Sequence, residues 1–156
     1  MGLSFAGPVA AAEHLAAELL GDLRTALGGL HVDHARRVAD AVRDGGDEVT
    51  VAAALLHDVV EKGCIAEDDL ERLVADPRIT GLVGILTRHA GESDRTYLVR
   101  CCATPESLVI KRADLADKIC AGDARVAPAE AARLRRRAAR RLALLDELAG
   151  LALAVP

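Results

Sequence analysis

Residues 49–63 read VTVAAALLHDVVEKG, an apolar run with His57 and Asp58 side by side near its end. Its Ala and Leu content favours a helix, which Asp47 is placed to cap and Gly63 to close. A charged carboxylate is costly to bury in such a run without a partner. A salt bridge, a hydrogen bond or a metal ion must therefore hold the pair, and the rest of the chain has to decide which.

Apolar spacing is helical almost throughout the flanking sequence. Pro8 suits a first helical position and opens a helix to about Leu27, stopped by Gly28-Gly29. A second helix runs from about Asp33 to Arg43 and ends at Gly45-Gly46. Beyond Gly63, AEDDLERLVAD makes a short helix with an acidic first turn, and Pro77 opens another through TGLVGILTRH. ESDRTYLVRCCA, PESLVIKRADLADKIC and PAEAARLRRRAARRLALLDELAG complete the set. There is no internal repeat, low-complexity linker or strong strand signal. The expectation is an all-α protein: a compact bundle of about seven or eight helices in one domain over residues 1–156, ending in an Arg-rich helix at about 128–150.

Composition narrows the partners. One Tyr, one Phe and no Trp leave an aliphatic core and almost no stacking platform for single-stranded nucleic acid. A net charge of −4 gives no general reason to seek nucleic acid or an anionic membrane. The four cysteines, at 64, 101, 102 and 120, form no CxxC pair and read as small buried hydrophobes in a reducing cytosol. The stretch MGLSFAGPVAAAEHLAAELLG lacks a basic start, and Glu13 and His14 interrupt it, so it reads as a helix rather than a signal peptide. No run approaches the ~18 uncharged apolar residues of a membrane span. A soluble, cytoplasmic protein is expected, with no nucleic-acid or membrane partner. Arg133, Arg135, Arg136, Arg137, Arg140 and Arg141 lie beside a stripe of Leu134, Leu142, Leu145 and Leu148 and between Glu130, Asp146 and Glu147. That pattern reads as the solvated face of an amphipathic helix rather than a phosphate patch.

Three places put metal-type ligands into otherwise apolar helices: His34 in HVDHARRVADAV, the His57-Asp58 pair, and Asp114 in LVIKRADLADKI. Each alone has a plain explanation: a surface histidine, a buried His–Asp hydrogen bond, an exposed aspartate. Together they make two imidazoles and two carboxylates from three helices. Such a mixed nitrogen and oxygen set suits a borderline divalent ion such as Mn²⁺, Fe²⁺ or Zn²⁺, with positions open for water and substrate. Adjacent helical residues point about 100° apart, so His57 and Asp58 can flank one ion. Glu61 falls on the same helical face, placed to activate or orient a water. Asp117, one turn after Asp114, is placed to orient a histidine or a water. Nothing in the spacing of His31 or His89 demands that either be a ligand.

The order His, His-Asp, Asp resembles that of the HD superfamily of metal-dependent phosphohydrolases. HARRVADAV looks like that superfamily's first-ligand helix, and TVAAALLHDVVE is very similar to the AALLHDVVED segment of RelA/SpoT-type hydrolases of the alarmone guanosine tetraphosphate. LVGILTRHAGESDRTYLVRCCATPESLVIKRADLADKI resembles the same proteins' LTR/VTK…GE…Y…R…KLADRLHN region. The similarity covers about residues 30–120, and the small alarmone hydrolases consist of little more than this module.

The resemblance implies an HD-domain helical bundle around one divalent ion, Mn²⁺ first, with Fe²⁺, Zn²⁺, Co²⁺ or Ni²⁺ as alternatives. It implies His34, His57, Asp58 and Asp114 as metal ligands, Glu61 as the catalytic residue that takes or steers a proton, and removal of pyrophosphate from the 3′ position of the alarmone. A phosphorylated guanine nucleotide, or another small nucleotide, is the partner this implies, and a homodimer is compatible with it. Three positions depart from the family pattern. Lys62 stands where the family has an acid after its Glu, and Lys118 stands where it has Asn four residues past the last Asp. The Arg-Lys-rich stretch before the first His is not recognisable in LRTALGGLHVDH, where Arg24 is the nearest candidate. Lys62, Lys118 and Arg24 are thus the candidate substrate contacts. The alternatives are an HD nucleotidase or phosphomonoesterase, and a metal- and nucleotide-binding module with weak or no turnover.

Overall fold

Prolines and short polar caps set where the helices begin. Pro8, Pro77, Pro105 and Pro128 each open a helix, where a missing backbone N–H costs nothing. The side chains of Asp47, Asp76, Ser93 and Thr104 accept hydrogen bonds from first-turn N–H groups, and Thr104 and Ser107 cap each other reciprocally. The computed structural model describes residues 6–121 and 125–153. Its helices are α1 (Pro8–Leu20), α2 (His31–Arg43), α3 (Glu48–Leu56), α4 (Glu67–Val74), α5 (Pro77–Leu86), α6 (Asp94–Cys101), α7 (Pro105–Cys120) and α8 (Pro128–Leu153). The described residues contain no strand, only a single bridge between Arg24 and Leu30. The expected all-α bundle is the fold found, at the upper end of the expected helix number.

Every residue from Val49 to Leu56 is buried, so α3 is apolar all round and forms the axis of the bundle. Helices α1, α2, α5 and α7 pack around it, while α8 lies across α6 and α7. Leu20, Leu56, Ile79, Leu98, Ile110, Leu115 and Leu145 are among the fully buried side chains, which makes the core aliphatic as expected. No described helix is long and apolar enough to cross a membrane.

Three expectations of local structure change. The first helix stops at Leu20 instead of reaching Leu27. The following loop folds back on itself, with Thr25 N donating to Gly29 O and the Arg24 guanidinium donating to Gly28 O, and Gly28 takes a φ of 96° that favours glycine. The second helix begins at His31, ahead of Asp33, which brings His31 into it. Most consequentially, α3 ends at Leu56 rather than running to Gly63. Residues 57–63 continue as consecutive turns, with Val59 N bonded to Leu56 O and Lys62 N to Asp58 O. The His-Asp pair therefore sits just past the end of the central helix, and the 100° helical argument for its geometry does not apply.

The cysteines are free thiols, but of the four expected to be buried, Cys64 and Cys102 are only half-buried. Cys101 is buried, which pushes its thiol up to about 11, but Cys120 is exposed rather than packed inside.

Candidate metal centre

The end of α3 opens between α2 and α7, and the residues singled out in the sequence meet there. His34, His57, Asp58 and Asp114 are all buried, Asp114 completely. Asp114 Oδ1 lies 3.1 Å from His34 Nε2 and 3.7 Å from His57 Nε2. Asp58 Oδ1 is 3.5 Å from His57 Nε2, and its Oδ2 is 3.8 Å from His34 Nε2.

The outer nitrogens of both histidines are already committed. His57 Nδ1 donates to Ala54 O at 2.7 Å, and His34 Nδ1 donates to Asp117 Oδ2 at 2.7 Å. Both partners can only accept, so the lone pair of each ring, in its neutral form, is at Nε2. These two nitrogens and Asp114 Oδ1 are buried without a hydrogen-bond partner among the described residues. Two imidazole nitrogens converge on a carboxylate oxygen whose one cationic neighbour is the Lys118 ammonium, at 2.6 Å, and a cation among the three would satisfy both nitrogens. The residues present therefore fit a divalent ion, and two overlapping triads have ligand spacing: His34, His57 and Asp114, and His31, His34 and Asp58.

The electrostatics point the same way. Burial would raise the Asp58 carboxyl, but the charges of His57 and Lys118 and the hydrogen bond from His31 hold it well below its usual range. Burial works likewise against Asp114, and there the charges of Lys111 and Lys118 prevail and keep it ionised. Burial lowers the pKa of His34, yet its bonds to Asp114 and Asp117 outweigh that and raise it. Asp117 itself, part-buried, is brought down to about 2 by hydrogen bonds from His34 and Arg37 that overcome its desolvation. Lys111, Lys118 and the histidines thus supply the positive charge that keeps the two buried carboxylates ionised.

The other sequence candidates line a cavity of about 260 Å³ beside the cluster. Glu61 and Lys62 stand on its wall, with Lys62 Nζ 3.8 Å from Glu61 Oε1. Glu61 lies on the turn after α3 rather than on a helical face, and its Oε2 accepts from Arg88 N at 3.1 Å. Lys118 also lines the cavity, with its Nζ 2.6 Å from Asp114 Oδ1. Asp117 lines it as well as bonding His34. Arg24 does not; its guanidinium is turned to Gly28 O, and its neighbours Thr25, Ala26 and Leu27 form that wall.

Sequence reasoning gave no role to four further residues. His31 Nε2 donates to Asp58 Oδ2 at 2.6 Å and fixes that carboxylate from 27 residues away. Its only sequence signal is the three-residue step to His34 along one face of α2. Lys111 is buried between Asp114 Oδ2, at 2.8 Å, and the Tyr97 ring, 4.7 Å from its centroid. Arg137 and Arg141, one turn apart on α8, reach the cavity, although that helix was expected to show arginines only to solvent. Arg133, Arg136, Arg137 and Arg140 are all exposed, so Arg137 borders the cavity at its solvent edge, and Arg141 alone of the two is half-buried.

No protein-family model matches the chain. A probable guanosine-3′,5′-bis(diphosphate) 3′-pyrophosphohydrolase of Synechocystis sp. is 30% identical over 108 residues, which cover 62% of this chain and 14% of that protein. The chain thus matches only a small part of that curated relative's length. A metazoan ortholog of SpoT that hydrolyses ppGpp, known from a solved structure, superposes with a TM-score of 0.67 at 22% identity, over 94% of this chain and 96% of that one. The all-helical fold expected from the sequence is the fold these two chains share.

Proposed function

We propose that the chain is a metal-dependent phosphohydrolase acting on guanosine 3′,5′-bis(diphosphate) or a closely similar nucleotide, with release of pyrophosphate from the 3′ position. His34, His57, Asp58 and Asp114 would hold one divalent ion, Mn²⁺ as first choice. One observation carries this reading: two buried imidazole nitrogens without a hydrogen-bond partner converge with two buried carboxylates beside a cavity lined by Lys62, Lys118, Arg137 and Arg141. A nucleotide bearing two diphosphates suits four cations around one metal site. Two relatives support the choice, since one is named for this hydrolysis and the other, which shares the fold, hydrolyses ppGpp.

A bound ion would supply Lewis acidity, making water a better nucleophile and offsetting charge on phosphate oxygens. The chain's own residues do the rest. Asp117 and Ala54 O hold the two imidazoles in the tautomer that presents Nε2 inward. Glu61 is steadied by the Arg88 N–H, which leaves Oε1 to take or steer the proton of the attacking water. Arg141 is held by Asp94 through bonds of 2.6 and 3.0 Å, so it stands at the cavity in a fixed orientation. Leu27, Leu115, Leu134 and Ala138 supply the apolar wall for the nucleoside.

The test compares pyrophosphate release from guanosine tetraphosphate with phosphate release from nucleoside monophosphates, both with Mn²⁺. Pyrophosphate release supports the reading, whereas phosphate release alone would move it to a nucleotidase. A second reading, a nucleotide-binding module with weak turnover, is favoured by Lys62 standing beside Glu61. If that lysine limits catalysis, Lys62→Asp raises the hydrolytic rate; an unchanged rate counts against it.

A further inference from the structure

The two oxygens of Asp114 each face an ammonium group, and the two contacts differ in kind. Lys111 Nζ donates to Oδ2 at 2.8 Å, and Lys111 is buried and pinned against the Tyr97 ring. Lys118 Nζ lies 2.6 Å from Oδ1 as an ion pair made by a side chain that is only half-buried. The Lys118 side chain is 38% exposed and lines the cavity, so it has room to move. The oxygen it covers is the one that His34 Nε2 and His57 Nε2 approach. Two carboxylates, Asp58 and Asp114, are thereby matched by two ammonium groups, Lys111 and Lys118. The charge in the cluster is already balanced before any divalent ion arrives.

We propose that Lys118 is a displaceable internal cation: its ammonium and a divalent ion compete for Asp114 Oδ1, and ion binding turns the ammonium into the cavity, where it becomes a phosphate contact. The inference rests on the metal-site reading above. Like charges cannot share one carboxylate oxygen cheaply in a buried site, so the ion must displace the ammonium or bind with reduced affinity. The released ammonium stays tethered four residues from Asp114, at a cavity already lined by Lys62, Arg137 and Arg141. A phosphate in that cavity draws Lys118 away from Asp114 and so tightens ion binding. By linkage, the ion prepares the cavity for the phosphate to the same extent.

Two measurements on the full chain test this. The first titrates Mn²⁺, without nucleotide, into the wild type, Lys118→Met and Lys118→Gln, with helicity followed by circular dichroism. Both variants are expected to bind Mn²⁺ tighter by about 5- to 150-fold, the ordinary span of a coupling between two sites. Equal or weaker binding in both would overturn the proposal. The second, which needs no variant, follows acetylation of Lys118 in the wild type by mass spectrometry, with and without Mn²⁺. Faster modification of Lys118 with Mn²⁺, relative to Lys62, is expected; an unchanged ratio would overturn it. Failure of the metal-site reading looks different, since then neither the wild type nor any Lys118 variant takes up Mn²⁺, and this inference falls with it.

Discussion

Asp117 fixes the ring of His34 from 83 residues away: its Oδ2 accepts Nδ1–H at 2.7 Å, so Nε2 faces Asp114 Oδ1 at 3.1 Å. Asp117 is in turn clamped by the Arg37 guanidinium at 2.6 and 3.0 Å. A chain of three side chains thus sets which lone pair enters the buried cluster. The same device recurs at His57, where a backbone carbonyl, Ala54 O, takes the proton.

Asp117→Ala should therefore weaken the site without removing a ligand. Loss of such an orienting carboxylate ordinarily costs about 10- to 100-fold in metal affinity. Calorimetric titration with Mn²⁺ reads this directly, and an affinity equal to that of the wild type would show that His34 needs no support from Asp117.

Arg137 makes no ion pair among the described residues and lines the cavity, whereas Arg141 is anchored to Asp94. Arg137→Ala should leave the fold untouched and raise KM for the nucleotide, with a smaller effect on kcat, as removal of a group that binds ground state and transition state alike does. Steady-state kinetics separate the two, and an effect confined to kcat would contradict this placement.

The clamp on Asp94 gives an acid-limb signature. Hydrogen bonds from Arg141, and the charges of Arg141 and Arg88, lower its carboxyl from 3.8 to about 2 despite some desolvation. A folded-state pKa below the unfolded one stabilises the protein fully above about 3.8, and the contribution is lost as pH falls towards about 2. Asp94 is 40% exposed, so the effect is screened and stays below about 1 kcal/mol. Thermal melts from pH 5 to pH 2 should show the difference between wild type and Asp94→Asn shrinking across that window. A constant difference would contradict it.

Leu145 is fully buried on α8 and secures the helix that presents Arg137 and Arg141. Leu145→Ala removes three buried carbons and leaves a cavity, at a cost of about 2–5 kcal/mol. Denaturant unfolding measures this, and a loss under 1 kcal/mol would mean that α8 is not seated as described.

Much of the site was legible in the sequence because its parts are local. His34, the His57-Asp58 pair and Asp114 each lie in an apolar segment where a charged or ligating group needs a reason, and their order carried the resemblance. The one-turn step from Asp114 to Asp117 was also readable. The end of α3 was not. VVEKG keeps helical composition, and only the tertiary setting turns it into a series of tight turns after Leu56. His31 was passed over because its partner, Asp58, is 27 residues away and no local spacing links them. Arg141 escaped notice for the same reason. Arg141 meets Asp94 over 47 residues, and a periodicity argument cannot distinguish a solvent face from one that closes a cavity. Lys118 stood out in the sequence as a candidate substrate contact, but its place on Asp114 came from the geometry alone.

The most direct test adds Mn²⁺ to the purified chain, measures bound metal, and follows pyrophosphate release from guanosine tetraphosphate in the same sample, with His57→Ala in parallel. Expected are one ion per wild-type chain, release that depends on Mn²⁺, and neither in His57→Ala. A wild-type chain that takes up no metal after Mn²⁺ is added, or a His57→Ala chain that retains it in full, would contradict the assignment of the site.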